Sequence, residues 1–105
     1  MAQFDLHRNR SVARTGIPFL LVVQSQRFDA SGRRVVVPLL PAEKVRSTEP
    51  SFTPTFTVEQ RSVLLNPLQI ISIPAEHLGE KIGSLAEEGD RIIAALDLLI
   101  SRAWG

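Results

Sequence analysis

Pro18-Phe19-Leu20-Leu21-Val22-Val23-Gln24-Ser25-Gln26 is the stretch on which the fold turns. Its apolar centre is continuous, not alternating, and is rich in Val, Leu and Phe. Such a run suits a strand covered on both faces, so it predicts the central strand of a sheet. With Ile17 and Pro18 the run has seven residues, against roughly 18 or more for a bilayer span. Downstream, Phe28-Asp29-Ala30-Ser31-Gly32 supplies turn chemistry: side-chain acceptors for free amides and a glycine able to take positive φ. A hairpin is expected there. Arg33 to Leu40 is then a β-branched strand, and Pro38, which cannot donate a ladder hydrogen bond, places that end at a sheet edge, a bulge or a strand switch. Upstream, Phe4 and Leu6 alternate with polar neighbours between Gln3 and Arg8, the period of a half-buried strand. Arg10 to Gly16 is a polar connection.

Further out, Pro41 to Pro50 reads as a surface connection. The next strand is expected to start near Phe52, since Phe52, Pro54, Phe56 and Val58 share one face and Thr53, Thr55 and Thr57 the other, a period of two in mostly β-favouring residues. Glu59-Gln60 makes a tight turn into a strand over Arg61 to Leu65. Asn66-Pro67 makes another turn, and Leu68 to Ile73 is an apolar strand that stops at Pro74. Ala75 to Gly83 is ambiguous, since Gly79 and Gly83 each cost a helix about 1 kcal/mol. Ser84 with Glu87 has capping-box spacing, and Ile92, Leu96, Leu99 and Ala103, flanked by Leu85, Ile93 and Ile100, repeat at helical spacing. The fold class is mainly β with a C-terminal α-helix, a small antiparallel barrel or sandwich.

The chain has 105 residues, 44% hydrophobic and 22% charged, which fits a single domain over 1–105, because two cores would each be too thin. A formal net charge of +1 excludes the strongly basic balance that by itself argues for nucleic-acid binding. Residues 1–46 nevertheless carry eight basic and three acidic side chains, giving +5, and residues 47–105 four and eight, giving −4. That asymmetry is either a basic binding face or is neutralised when the halves fold together. The absence of cysteine removes disulfides, thiolate metal sites and cysteine nucleophiles, and suits a cytoplasmic protein. No signal peptide or membrane segment is read.

No catalytic constellation emerges. His7 and His77 lack ligand-spaced partners, Ser84 is better read as a cap, no phosphate-cradling glycine loop occurs, and Glu87-Glu88 suits a helix start. No cofactor or metal is expected. Two features ask for more than folding. Gly32-Arg33-Arg34 either displays guanidinium groups for carboxylate or phosphate recognition or guards a strand end with solvated charge. Trp104-Gly105 either caps the core or forms an interaction hot spot.

Gln3-Phe4, Val23-Gln24-Ser25, Gly32-Arg33-Arg34, Val37-Pro38-Leu39, Ile73-Pro74 and a terminal helix ending near Trp-Gly follow one another as they do in the CcdB toxins, which this chain resembles over nearly its whole length. The resemblance implies a small SH3-like barrel shared with MazF-type toxins, and a two-fold homodimer. It implies a non-enzymatic toxin of a type II toxin–antitoxin module, of the kind that serves plasmid maintenance. Such a toxin binds the A subunit of DNA gyrase, traps its cleaved-DNA complex and is neutralised by a CcdA-like antitoxin. Toxin and antitoxin together repress their operon, so operator DNA is met only through that complex. Carried over by position, the gyrase contact falls on Asp97 and Ile100 in the helix and on Arg27 and Phe28 after Gln26, with Arg27 standing where the family has an apolar residue. In a gapless register the family's Trp-Gly pair falls at Ser101 and Arg102. Slid by three residues, close to one helical turn, it falls at Trp104 and Gly105, and the family's final isoleucine then has no counterpart. The basic half, with Arg8, Arg10 and Arg14, is expected to steer the acidic antitoxin. Two alternatives stand beside this reading: a MazF-like endoribonuclease with Arg33 and Arg34 at a scissile phosphate, and a non-toxic co-repressor or antitoxin partner.

Overall fold

The computed structural model describes residues 2–10, 16–46 and 49–101. Its strands are β1 (Asp5–Asn9), β2 (Phe19–Val22), β3 (Arg33–Pro41), β4 (Thr55–Val58), β5 (Arg61–Leu65), β6 (Ile71–Pro74) and β7 (Leu78–Ser84), followed by one helix, α1 (Gly89–Ile100). They form an antiparallel sheet in the order β4-β5-β3-β2-β1-β7, with β6 pairing the first half of β3. The sheet curls into a half-barrel closed by the C-terminal helix, the fold class expected.

The stretch quoted first is where the core sits. Phe19, Leu21 and Val23 face one cluster with Phe4, Leu6, Val37, Leu39, Phe56, Val58, Val63, Leu65 and Ile92. Leu20 and Val22 face a second with Val36 and Leu78. β2 is therefore buried on both faces, which is why its apolar run does not alternate. The strand is shorter than Pro18 to Gln26, because Gln24 substitutes its side chain for the ladder. Its Oε1 accepts from Val35 N–H at 2.9 Å, and its Nε2 donates to the Phe28 and Arg33 carbonyls. A short 3-10 turn over Gln26–Ser31 follows, ending on Gly32 at φ 78°.

Pro38 sits at a strand switch. β3 pairs with β6 up to Val36 and with β5 from Leu39 onward. The bond from Val23 N–H to the Val35 carbonyl sets the antiparallel alternation, so Phe19/Leu39 and Leu21/Val37 are hydrogen-bonded pairs and Leu20/Pro38 is not. The N–H that proline lacks would thus point into the gap between β6 and β5.

Five segments depart from the sequence-based expectation. The strand read from near Phe52 begins only at Thr55, because the Phe52 and Thr53 N–H groups turn back to the Glu49 carbonyl at 2.9 and 3.0 Å. Leu68 and Gln69 belong to a 3-10 turn over Pro67–Gln69, whose first free amide, Leu68 N–H, is taken by the Asn66 side chain at 3.0 Å; only Ile71 onward is strand. Ala75 to Gly83 holds no α-helix: a 3-10 turn over Ala75–His77 leads into β7, where Gly79 is needed because a Cβ there would lie 2.6 Å from the Arg8 carbonyl oxygen. The capping box is absent: Ser84 Oγ accepts from Ala86 N–H at the start of a short turn, and α1 begins only at Gly89. β1 is also more than half buried, since Asp5 and His7 on its second face are as enclosed as Phe4 and Leu6.

On α1, Ile92 and Ala95 are buried and Leu96 packs against the larger cluster. Gly89 admits the Phe4 ring, which a Cβ would meet at 2.9 Å. Ala103 lies outside the described residues.

Candidate functional site

The positions assigned by resemblance fall on two separate elements. Arg27 and Phe28 lie in the Gln26–Ser31 turn, which Ser25 Oγ opens by accepting from Arg27 N–H. Phe28 is 57% exposed, with the Arg27 guanidinium 5.8 Å from its ring centroid. The charged replacement at position 27 therefore stacks on its apolar neighbour instead of interrupting it. Asp97, Ile100 and Ser101 stand at the exposed end of α1, and Ile100 is 74% exposed. The helix packs beside the Pro67–Gln69 turn, where Leu68 is exposed as well, and Ile70, Ile93 and Leu98 add further partly exposed apolar surface. Trp104 and Gly105, like Arg14, lie outside the described residues.

The arginine pair at the hairpin exit is committed internally. Arg34 is only 8% exposed; its Nη1 donates to the Asp29 and Arg33 carbonyls at 3.1 and 2.7 Å, and its Nε stands 3.7 Å from Asp29 Oδ1. Arg33 donates to Ser72 Oγ and to the Ser72 carbonyl, both at 2.9 Å. Of the two sequence-level readings, neither describes Arg34, which ties the turn to β3 from within.

Arg8 holds Glu59 through two bonds, 3.2 and 2.7 Å, and Glu80 through a third at 3.3 Å. These carboxylates, Glu59 foremost, raise its guanidinium pKa above the ordinary value. Arg10 Nη1 donates to the Glu76 carbonyl at 3.3 Å. Part of the basic first half is thus neutralised by the acidic second half on folding.

Sequence reasoning missed a cleft of about 710 Å³ lined by Ala2, Asp5, His7, Gln26, Asp29 and Lys81. The signal was present in the i, i+2 spacing of Asp5 and His7, which puts both on one face of β1. Among the described residues no group of His, Cys, Asp and Glu is arranged to hold a metal ion. No helix among them is long and apolar enough to cross a membrane.

The half-barrel closed by a C-terminal helix is a fold that solved structures share. An endoribonuclease in complex with its cognate antitoxin, from a mycobacterial species, superposes with a TM-score of 0.77 at 16% identity, covering 100% of this chain and 99% of that one. A second mycobacterial endoribonuclease gives 0.75 at 17% identity, with 100% and 95% covered. A search of curated protein sequences finds no match. The family model described as CcdB protein matches residues 3–101. The chain belongs to the CcdB family.

Proposed function

We propose that this chain is the toxin of a toxin–antitoxin pair and acts by binding, its target being the A subunit of DNA gyrase. The observation that carries the proposal is the exposure of Phe28 and Ile100 at the two positions where the family's gyrase contact maps, in a chain that buries its other four phenylalanines wholly or in part. An exposed aromatic and an exposed isoleucine cost solubility and bury little in the isolated fold, whereas against a partner each buries a large apolar surface. Asp97 and Ser101 supply the polar rim, and Trp104 with Gly105 adds to the contact from the C-terminal side of the helix.

A CcdA-like antitoxin neutralises it, and the segment with Arg10 and Arg14 steers that acidic partner, whereas Arg8, also expected to do so, is held by Glu59 and Glu80. The working unit is a single-domain chain paired with a second copy through the apolar surface where α1 meets Leu68 and Ile70. Operator DNA is met only in the antitoxin complex, and the setting is the cytoplasm. The decisive experiment is overexpression without antitoxin, in a host with ordinary gyrase and in one with a resistant A subunit. Killing of the first and survival of the second is expected; killing of both sinks the gyrase target. In vitro, Phe28→Ala and Ile100→Ala should each weaken binding to gyrase A fragments by at least about tenfold, roughly 1.4 kcal/mol.

The likeness to two endoribonucleases favours a second reading, RNA cleavage. Its assigned residues are poorly placed for it, since Arg34 is buried and Arg33 is engaged by Ser72. Incubation with single-stranded RNA discriminates: cleavage by the wild type that is lost in Arg33→Ala would replace the gyrase reading.

A further inference from the structure

The cleft between β1, β7 and the Gln26–Ser31 turn has no role in the contacts assigned so far. His7 lies in it with only 4% of its surface exposed. Its Nδ1 is 2.9 Å from the Gly79 carbonyl oxygen. A carbonyl oxygen only accepts, so Nδ1 carries a proton, and in the Nδ1–H imidazole tautomer Nε2 is a lone-pair acceptor. That Nε2 is buried and has no hydrogen-bond partner among the described residues. Native structures rarely leave such an atom unmet without reason.

Two carboxylates line the same cleft. Asp5, 2% exposed, accepts from Ala2 N–H at 2.9 Å and faces Lys81 Nζ at 3.4 Å. Asp29 faces the buried Arg34, whose Nε is the other buried polar side-chain atom without a hydrogen-bond partner among the described residues. Lys81 stands opposite His7 in the β1–β7 register, and its side chain is more than half exposed while its ammonium reaches Asp5. The chain thus already offers the cleft a point charge, and that charge leaves His7 Nε2 unmet. What would meet His7 and the carboxylates together is a planar fork of several N–H donors carrying one positive charge. A polyanion is disfavoured by Asp5 and Asp29.

We propose that this cleft receives a guanidinium group presented by a protein partner, one N–H donating to His7 Nε2 and the others to the Asp5 and Asp29 carboxylates, with Lys81 displaced to solvent. Gln26 and Asp29, from the turn that displays Arg27 and Phe28, line the site, so an arginine seated there brings its backbone alongside that turn. The inference does not depend on the gyrase reading: loss of one leaves the other standing.

The test is a titration of the full chain with Nα-acetyl-arginine amide, followed by NMR at the His7 ring. Long-range proton–nitrogen spectra of the free protein should show the Nδ1–H tautomer. The arginine amide should then give a saturable shift in the millimolar range, at least about tenfold weaker with the neutral citrulline amide and with the lysine amide. Lys81→Met, whose folding is checked by a thermal melt, should bind the arginine amide several-fold more tightly because the competing ammonium is gone; a merely structural Asp5–Lys81 pair predicts no such gain. Asp29→Asn should weaken binding, with a thermal melt to confirm folding. An Nε2–H tautomer, an unsaturable shift, an equal response to citrulline or lysine amide, or no gain in Lys81→Met would each overturn the proposal.

Discussion

Gly79 and Arg34 show how single residues fix this molecule. At Gly79 the Arg8 backbone comes so close that a Cβ would lie 2.6 Å from the carbonyl oxygen. Backbone cannot swing aside as a side-chain tip can, so Gly79→Ala must part β1 from β7, and a loss of about 1–3 kcal/mol is expected in urea unfolding. An unchanged midpoint would show that the two strands are not held at this spacing. Arg34 looks from sequence like a twin of Arg33, yet it is buried and Arg33 is exposed. The alternation of β3 accounts for the difference, since successive side chains point to opposite faces. Arg34→Gln leaves the Asp29 and Arg33 carbonyls short of a charged donor. It should lower stability by about 1.5–3 kcal/mol. Wild-type stability in Arg34→Gln would return Arg34 to the pool of available binding groups.

At the scale of elements, the β4–β5 hairpin and α1 carry the clearest consequences. Val58 and Arg61 are register partners, so Glu59-Gln60 is a two-residue loop, and both residues have positive φ, 50° and 64°. That is the hairpin geometry in which Asn-Gly is favoured and ordinary side chains are strained. Gln60→Gly should therefore stabilise by about 0.5–1 kcal/mol, the relief of left-handed strain exceeding the entropy glycine adds to the unfolded chain. A lower melting temperature would mean that Gln60 makes a compensating contact. On α1, Ile92 is fully buried against both the sheet and Phe4's cluster, and Ile92→Ala should cost about 2–5 kcal/mol by calorimetry. The strands that could be read from sequence, β1 to β5, are those whose apolar pattern is set by their own burial. β7 was not legible because Gly79 serves close approach to β1, a long-range requirement that carries no local signature. The capping box failed for a related reason: Leu85 packs on the core, and its N–H bonds the Phe4 carbonyl at 2.8 Å, so the chain is held against β1 where a helix would otherwise begin. At the candidate site, turn chemistry marked the segment holding Arg27 and Phe28, while the cleft around His7 needed three elements to be brought together.

For the molecule as a whole, the curl of the sheet is recorded in one ion-pair network. Three strands separate β4 from β1 in the sheet order, yet Glu59 at the β4–β5 tip meets Arg8 on β1 at 2.7 Å. A flat sheet could not bring them together, so the network clasps the two sides of the half-barrel. It also joins the basic first half of the chain to the acidic second half, which is why the charge asymmetry in the sequence overstates the charge displayed. All three side chains are substantially exposed, so water and salt screen the clasp. The raised Arg8 pKa means its share of the stabilisation is complete below the ordinary guanidinium value and is lost only as pH climbs through the folded one, leaving it flat across neutral pH. Arg8→Glu places three carboxylates together and should lower the melting temperature clearly at low salt and less in molar salt. Arg8→Glu combined with Glu59→Arg should recover part of that loss, because the pair is restored with its charges exchanged wherever tip and strand meet across the half-barrel. Additive single effects in that cycle would mean that they do not meet, and the half-barrel would be more open than its hydrogen bonds imply.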